Sequence, residues 1–196
     1  YLLGTDQMGR DILSRLIFGV RISLIVSISG VLVSNVIGTI IGLSSGYYGG
    51  FIDIFLMRFT DIFLAFPFLL LAITFVVTLG PSLQNMIIVL GITGWVPYAR
   101  LVRGQTLSIK EQEFIIAART VGSKNFRIIF KHILPNLVAP IIIYSSLEIG
   151  LFIIAEASLT FLGMGIPPSI PTWGNMLSLG RNYLSNAWWL ATFPGI

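Results

Sequence analysis

The chain has 196 residues, 12 Lys and Arg against 8 Asp and Glu for a net charge of +4, and it is 55% hydrophobic but only 10% charged. Ordinary soluble domains carry about 25% charged residues, so this composition, with a mean hydropathy of +0.91, excludes most soluble enzyme folds and makes the bilayer the expected solvent. There is no cysteine and His132 is the only histidine, which removes disulfides, thiolate chemistry and multi-histidine metal sites, so neither a metal site nor a catalytic residue is assigned.

Leu13, Leu16, Ile17 and Val20 recur at helical spacing with Asp11 and Arg15 four apart on the polar side. Residues 1–21 are therefore read as an external segment carrying a short interfacial helix. Between Arg21 and Asp53 lie 31 residues without a charge, more than the roughly 20 needed to cross the hydrocarbon, and a first span is expected from Ile22 to Gly46. Within it Gly30, Ser34, Gly38, Gly42 and Gly46 repeat every four residues. One face thus carries almost no side-chain bulk, which suits close helix packing ahead of substrate lining. Gly42-Leu43-Ser44-Ser45-Gly46 also matches the G-x-S-x-G pattern, but that chemistry needs a strand-to-helix turn and a nearby His base, and a charge-free helix supplies neither.

The next charge-free run covers 38 residues between Asp61 and Arg100. Leu79-Gly80-Pro81-Ser82 divides it as a turn, so a second span is expected from Ile54 to Leu79 and a third from Leu83 to Val102, making three spans over 22–103. Arg58 and Asp61, three apart, can pair on one helix face, but Arg58 reads first as an anchor reaching the interface.

Residues 104–132 form a basic loop. Phe114, Ala117, Ala118 and Val121 sit at i, i+3, i+4 and i+7, so a helix is expected from Glu111 to Val121 with that stripe as its apolar face. Gly122 ends it in a left-handed cap and Ser123 caps the next helix. That helix repeats the pattern with Phe126, Ile129, Phe130 and Ile133, ends at Leu134-Pro135, and carries Lys124, Arg127 and Lys131 along its other face. Periodicity alone serves two readings equally: a pair of helices built to dock onto a partner, or a hairpin lying on anionic headgroups.

A fourth span is expected over 133–155. Glu148 inside it and Glu156 at its end are eight apart, near one face, and acidic groups at membrane depth face a bundle interior or a wet cavity. Both are candidate translocation-pathway residues, with substrate contact, proton coupling and pairing with a neighbouring subunit's Arg all open. Residues 156–196 form a second external segment. Pro167, Pro168 and Pro171 stiffen the approach to a short helix marked by Trp173, Met176, Leu177, Gly180 and Leu184, followed by the interface-type pair Trp188 and Trp189.

Alternating these spans puts eight Lys and Arg on one side, seven from Arg100 to Lys131 plus Arg58, and four on the other, Arg10, Arg15, Arg21 and Arg181. The basic loop is then cytoplasmic and both chain ends external. The chain opens at Tyr1 without signal-peptide order and closes on Thr192-Phe193-Pro194-Gly195-Ile196, a sequence like the mouth of a further span. It is read as a fragment of a six-span subunit forming one transmembrane domain over 1–196.

Ala117-Ala118, Gly122 and Leu134-Pro135 stand at the intervals of the cytoplasmic signature E-A-A, three residues, G, nine residues, I-x-L-P. At these residues the chain resembles the membrane-spanning subunits of ATP-binding-cassette importers, with Ile116 in place of the Glu and His132 in place of the Ile. The stretches Leu3–Leu16, Gly46-Tyr47-Tyr48-Gly49-Gly50, His132–Asn136 and Glu156–Gly165 narrow the likeness to the second permease subunit of the peptide/nickel branch. The resemblance implies a type I importer fold, all-α and multi-pass, in a bacterial or archaeal cytoplasmic membrane. It implies a second homologous permease, two cytoplasmic ATPase subunits holding ATP and Mg, and an external solute-binding protein, with no nucleic acid. It also implies that Ala117, Ala118, Arg119, Gly122, Ser123, Lys124, Leu134 and Pro135 form the contact with the ATPase. The chain lacks G-x-x-x-x-G-K-[S/T], so no phosphate cradle and no cofactor is expected in it. The substrate implied is a di- or oligopeptide, with nickel or another small solute as the alternative. An ion-driven secondary transporter would call for symmetric halves with broken helices, and Pro67 and Pro81 do not fall in matching halves.

Overall fold

A computed structural model describes residues 1–195, and every regular element among them is helical. The elements are α1 Ile12–Tyr48, α2 Gly50–Leu64, α3 Phe68–Leu79, α4 Leu83–Lys110, α5 Glu113–Thr120, α6 Asn125–Ile128, a π-helical turn Ile129–Ile133, α7 Leu134–Phe161, α8 Trp173–Arg181 and α9 Trp189–Gly195. Three continuous helical stretches are long and apolar enough to cross a membrane, Ile12–Tyr48, Leu83–Lys110 and Asn125–Phe161. The pair α2 and α3 makes a fourth only as one broken span.

Two expectations change. The interfacial helix does not stand alone, because residues 12–21 run without a break into the first span, forming one helix of 37 residues. The second span is not continuous. Pro67 has no N–H to donate and drives Phe66 out of helical geometry, so α2 closes at Leu64 and α3 starts at Phe68.

The first span turns many of its smallest residues inward. Along α1 small or polar residues, Ser23, Ser27, Gly30, Ser34, Gly38, Gly42 and Ser45, are buried beside Val26, Val31 and Leu43, whereas Leu32, Val36 and Ile40 point outward. In lipid there is no hydrophobic gain from hiding Leu or Ile, so close backbone approach decides which face turns inward.

The chain divides into two compact units. One holds residues 1–31, 69–90 and the chain from Ile149 onward. In it the Asp6 carboxylate accepts from the backbone N–H of Met8 and Arg10, both at 2.9 Å, and from Arg10 Nε at 2.7 Å. Partial burial pushes this carboxyl up, but those hydrogen bonds outweigh it and hold Asp6 below the usual carboxylate range. Asp11 and Arg15, four apart on the polar side, make separate contacts. Asp11 caps α1 by accepting from Ser14 N at 2.9 Å, and Arg15 Nε lies 3.7 Å from Asp6. At the other end Thr172 caps α8, and Asn175 Nδ2 donates to the carbonyls of Ile166, Pro167 and Ile170, which fixes the proline-rich approach. Ile12, Met176 and Leu190 form a small core there.

The second unit holds residues 32–68 and 91–148. Its centre is the seam between α1 and α4. Ser34 Oγ donates to the Gly91 carbonyl at 3.0 Å. A Cβ on Gly42 would lie 2.5 Å from the Ala99 carbonyl oxygen and 2.8 Å from Val102 Cβ, and one on Gly46 would lie 2.8 Å from Thr106 Cβ. Gly38 meets Tyr98 and Trp95 more tightly still. Trp95, Val96 and Ala99 pack with Ile37, Ile41 and Phe63, bringing α2 onto the same seam.

Candidate coupling elbow and buried acidic groups

The basic loop folds as two short helices at a sharp turn. Gly122 adopts φ +84°, which only glycine reaches without strain, and the turn closes through Gly122 N donating to Arg119 O at 2.8 Å and Ser123 N to Ala118 O at 3.0 Å. Ser123 makes no side-chain cap. The residue flanking α6 is Lys124, in extended backbone and without a side-chain cap bond, because the Ser123 amide is already drawn back onto α5.

The inward face of the elbow agrees with the expected one at Ile133 and differs elsewhere. Ile115, Ile128 and Ile133 are fully buried. Phe114, Ala117 and Val121 of the predicted stripe are exposed, Val121 by 86%, and so are Phe126 and Phe130. The periodicity was sound; its direction was not legible. A helix with isoleucines beside an aromatic stripe has two apolar faces, and only tertiary contact decides which one is used. The outward face therefore combines Phe114, Ile116, Val121, Phe126 and Phe130 with exposed Arg119, Lys124, Arg127 and Lys131, and Phe126 lies 4.3 Å from Phe130 between ring centroids.

Leu134 and Pro135 sit where the π turn passes into α7. The Leu134 N–H reaches back five residues to the Ile129 carbonyl, and Pro135, lacking an N–H, leaves the preceding turn one hydrogen bond short. The half-buried His132 ring faces Phe114 at 6.4 Å.

Several contacts that hold the elbow had no signal in the sequence. Tyr47 Oη donates to Asn125 Oδ1 at 2.8 Å, across 78 residues of chain, and the Arg119 guanidinium lies 5.6 Å above the Tyr47 ring. Lys110 Nζ donates to the Gly46 carbonyl at 3.0 Å. Asp53 accepts two bonds from Arg103, from Nε at 2.6 Å and Nη2 at 2.7 Å, and a third from Ser45 Oγ. Asp61, three residues from Arg58, accepts instead from Arg100 Nη2 at 2.7 Å.

The two buried glutamates stand in different surroundings. Glu156 is fully buried in the first unit and accepts from Ser23 Oγ and Thr160 Oγ1, each at 2.9 Å. Glu148, in the second unit, is 6% exposed, one helical turn from Tyr144, and its Oε2 has no hydrogen-bond partner. Tyr98 packs edge-on to Tyr144 at 4.8 Å and donates to Ser145 Oγ at 3.0 Å. Among the described residues no group of three or more His, Asp or Glu is placed to hold a metal ion.

Residues 38–196 match the family described as binding-protein-dependent transport system inner membrane component. The chain is 48% identical over 98% of its length to the dipeptide transport system permease protein DppC of Alkalihalophilus pseudofirmus, covering 63% of that protein. It is 44% identical over 99% of its length to the glutathione transport system permease protein GsiD of Pectobacterium atrosepticum, covering 64%. To the oligopeptide transport system permease protein OppC of Haemophilus influenzae it is 43% identical over 99% of its length, covering 62%. The chain thus spans a little under two thirds of these relatives. In fold it is similar to a solved inward-facing MetNI methionine ABC transporter, with a TM-score of 0.74 and 20% identity over 93% of this chain and 87% of that one. With its apolar helices and the type I importer transmembrane fold, this multi-pass membrane chain belongs to the family of binding-protein-dependent transport system inner membrane components.

Proposed function

We propose that this chain belongs to a permease subunit that moves di- or oligopeptides across a cytoplasmic membrane by alternating access, driven by ATP hydrolysis on separate subunits. The observation that carries this reading is the elbow. It is anchored by Ile115, Ile128 and Ile133 and presents Phe114, Val121, Phe126 and Phe130 outward among four basic side chains. Aromatic groups ringed by charge on a rigid two-helix platform suit a groove in a partner protein. The basic loop lies on the cytoplasmic side by its Lys and Arg excess, where ATPase subunits holding ATP and Mg would bind, while a second permease completes the pathway and an external binding protein delivers substrate. The peptide assignment draws on the relatives whose names specify dipeptide, glutathione and oligopeptide transport.

Closure of the ATPases would shift the elbow as a unit, and rigid helices would carry the shift into the membrane. Replacing Gly122 by Leu tests this in the assembled importer. A side chain at φ +84° costs about 1–2 kcal/mol, too little to prevent insertion, yet it distorts the turn. The expected result is ATP hydrolysis retained with uptake of labelled alanyl-alanine lost; normal uptake would remove the elbow from the coupling path.

A further inference from the structure

The Gly46-Tyr47-Tyr48-Gly49-Gly50 stretch closes α1, and the three residues Ser45, Gly46 and Tyr47 each make a different connection. Ser45 Oγ donates to Asp53 of α2, which is itself clamped by both nitrogens of the Arg103 fork on α4. The Gly46 carbonyl accepts from Lys110, the last residue of α4, at 3.0 Å. Tyr47 donates from its hydroxyl to Asn125, the first residue of α6, at 2.8 Å and lies under the Arg119 guanidinium of α5. Ser45 is fully buried and Tyr47 is 7% exposed. Beyond them Gly49 and Gly50 take φ +66° and +54°, where the chain reverses into α2.

We propose that this last turn of α1 is the junction through which a displacement of the elbow reaches α1 and α2, which unlike α4 have no short chain link to it, with Tyr47 and Asn125 as the positioning pair. The inference rests on the elbow being the coupling element. Its physical basis is the number and kind of links. Among the described residues the elbow is tied to α1 by the Tyr47–Asn125 hydrogen bond, reinforced by the ring–guanidinium contact. Two residues away the same helical turn is bonded to a charge-assisted pair, which is short, directional and stiffer than apolar packing. A push on α6 therefore arrives at α1 through Tyr47 and leaves through Ser45 and Gly46. The tyrosine hydroxyl acts on Asn125 alone, so removing either partner breaks the same link.

The test uses the complete importer in proteoliposomes, with its ATPases, second permease and binding protein, and reads labelled alanyl-alanine imported per ATP hydrolysed. Tyr47→Phe and Asn125→Leu should each lower that ratio about fivefold, the worth of one hydrogen bond, and the double variant should fall no further, since the two share one interaction. Asn125→Asp retains the acceptor oxygen and should restore the ratio. ATPase subunits should co-purify with every variant in wild-type amount. A wild-type ratio in Tyr47→Phe, additive losses in the double variant, or loss of the ATPases from Tyr47→Phe would each overturn the proposal. Gly122→Leu separates the two readings: if it leaves transport intact, the elbow itself is not the coupling element. If it abolishes transport while Tyr47→Phe does not, the junction alone fails.

Discussion

The α1–α4 seam and the elbow both depend on glycine, for opposite reasons. At the seam the glycines are ordinary helical residues whose missing Cβ lets two backbones touch: Gly42 faces the Ala99 carbonyl with no room for a methyl group. At the elbow Gly122 has open space where its Cβ would be, and what it supplies is a backbone angle of φ +84°. One region is closed by contact and the other is shaped by conformation. The same contrast governs their apolar side chains. The seam sets the small face of α1 against Trp95, Tyr98 and Ala99 of α4 and leaves Leu32, Val36 and Ile40 exposed on α1, whereas the elbow shows Phe126 and Val121 on a loop rich in cations.

The largest effect should come from filling the seam. Gly42→Leu forces α1 and α4 apart and is expected to cost more than about 3 kcal/mol, read as loss of monodisperse protein after mild-detergent extraction. Recovery of wild-type yield and melting temperature would show that the two helices are not held at backbone contact. The elbow should respond in its partner and not in its own stability. Phe126→Ser with Phe130→Ser removes two exposed rings, so the melting temperature of the isolated permease should hold, with a change within about 0.5 kcal/mol. Affinity for the ATPase subunit, measured by titration, should fall at least about tenfold, because each buried Phe is worth about 2 kcal/mol. Unchanged affinity would assign that face to headgroups. The smallest effect has the opposite sign. Gly104 on α4 is helical and exposed with nothing near its missing Cβ, so Gly104→Ala should stabilise by about 0.5–1 kcal/mol, seen as a modest rise in melting temperature. A fall would mean that Gly104 serves contact like Gly42.

Sequence reasoning reached the four-residue glycine repeat, the division at Gly80-Pro81, the bend of the chain at Gly122 and the membrane class, because each of these is a property of spacing or of one residue's backbone. It did not separate the two apolar faces of α5. Ile115 and Phe114 are adjacent, and either can lead a helical stripe. The break before Pro67 lay within reach, since proline ends helices locally, but the charge-free run on both sides of it reads as one span. Glu148 and Glu156 were visible as acidic groups at membrane depth. That Glu156 is enclosed by Ser23 and Thr160 while Glu148 keeps an unpartnered oxygen beside Tyr144 was not.

What the sequence by itself determined is therefore what the solvent and the local backbone impose: spans of adequate length, a basic loop on one side, small residues at helical period, and a left-handed turn that only Gly122 accepts. What only the tertiary structure decided is pairing at a distance. Tyr47 with Asn125, Asp53 with Arg103 and Lys110 with Gly46 join positions 78, 50 and 64 residues apart. A hydrogen bond needs its partners within about 3 Å, and no periodicity along the chain encodes that distance. It appears only once α1 and α4 have closed on their glycines.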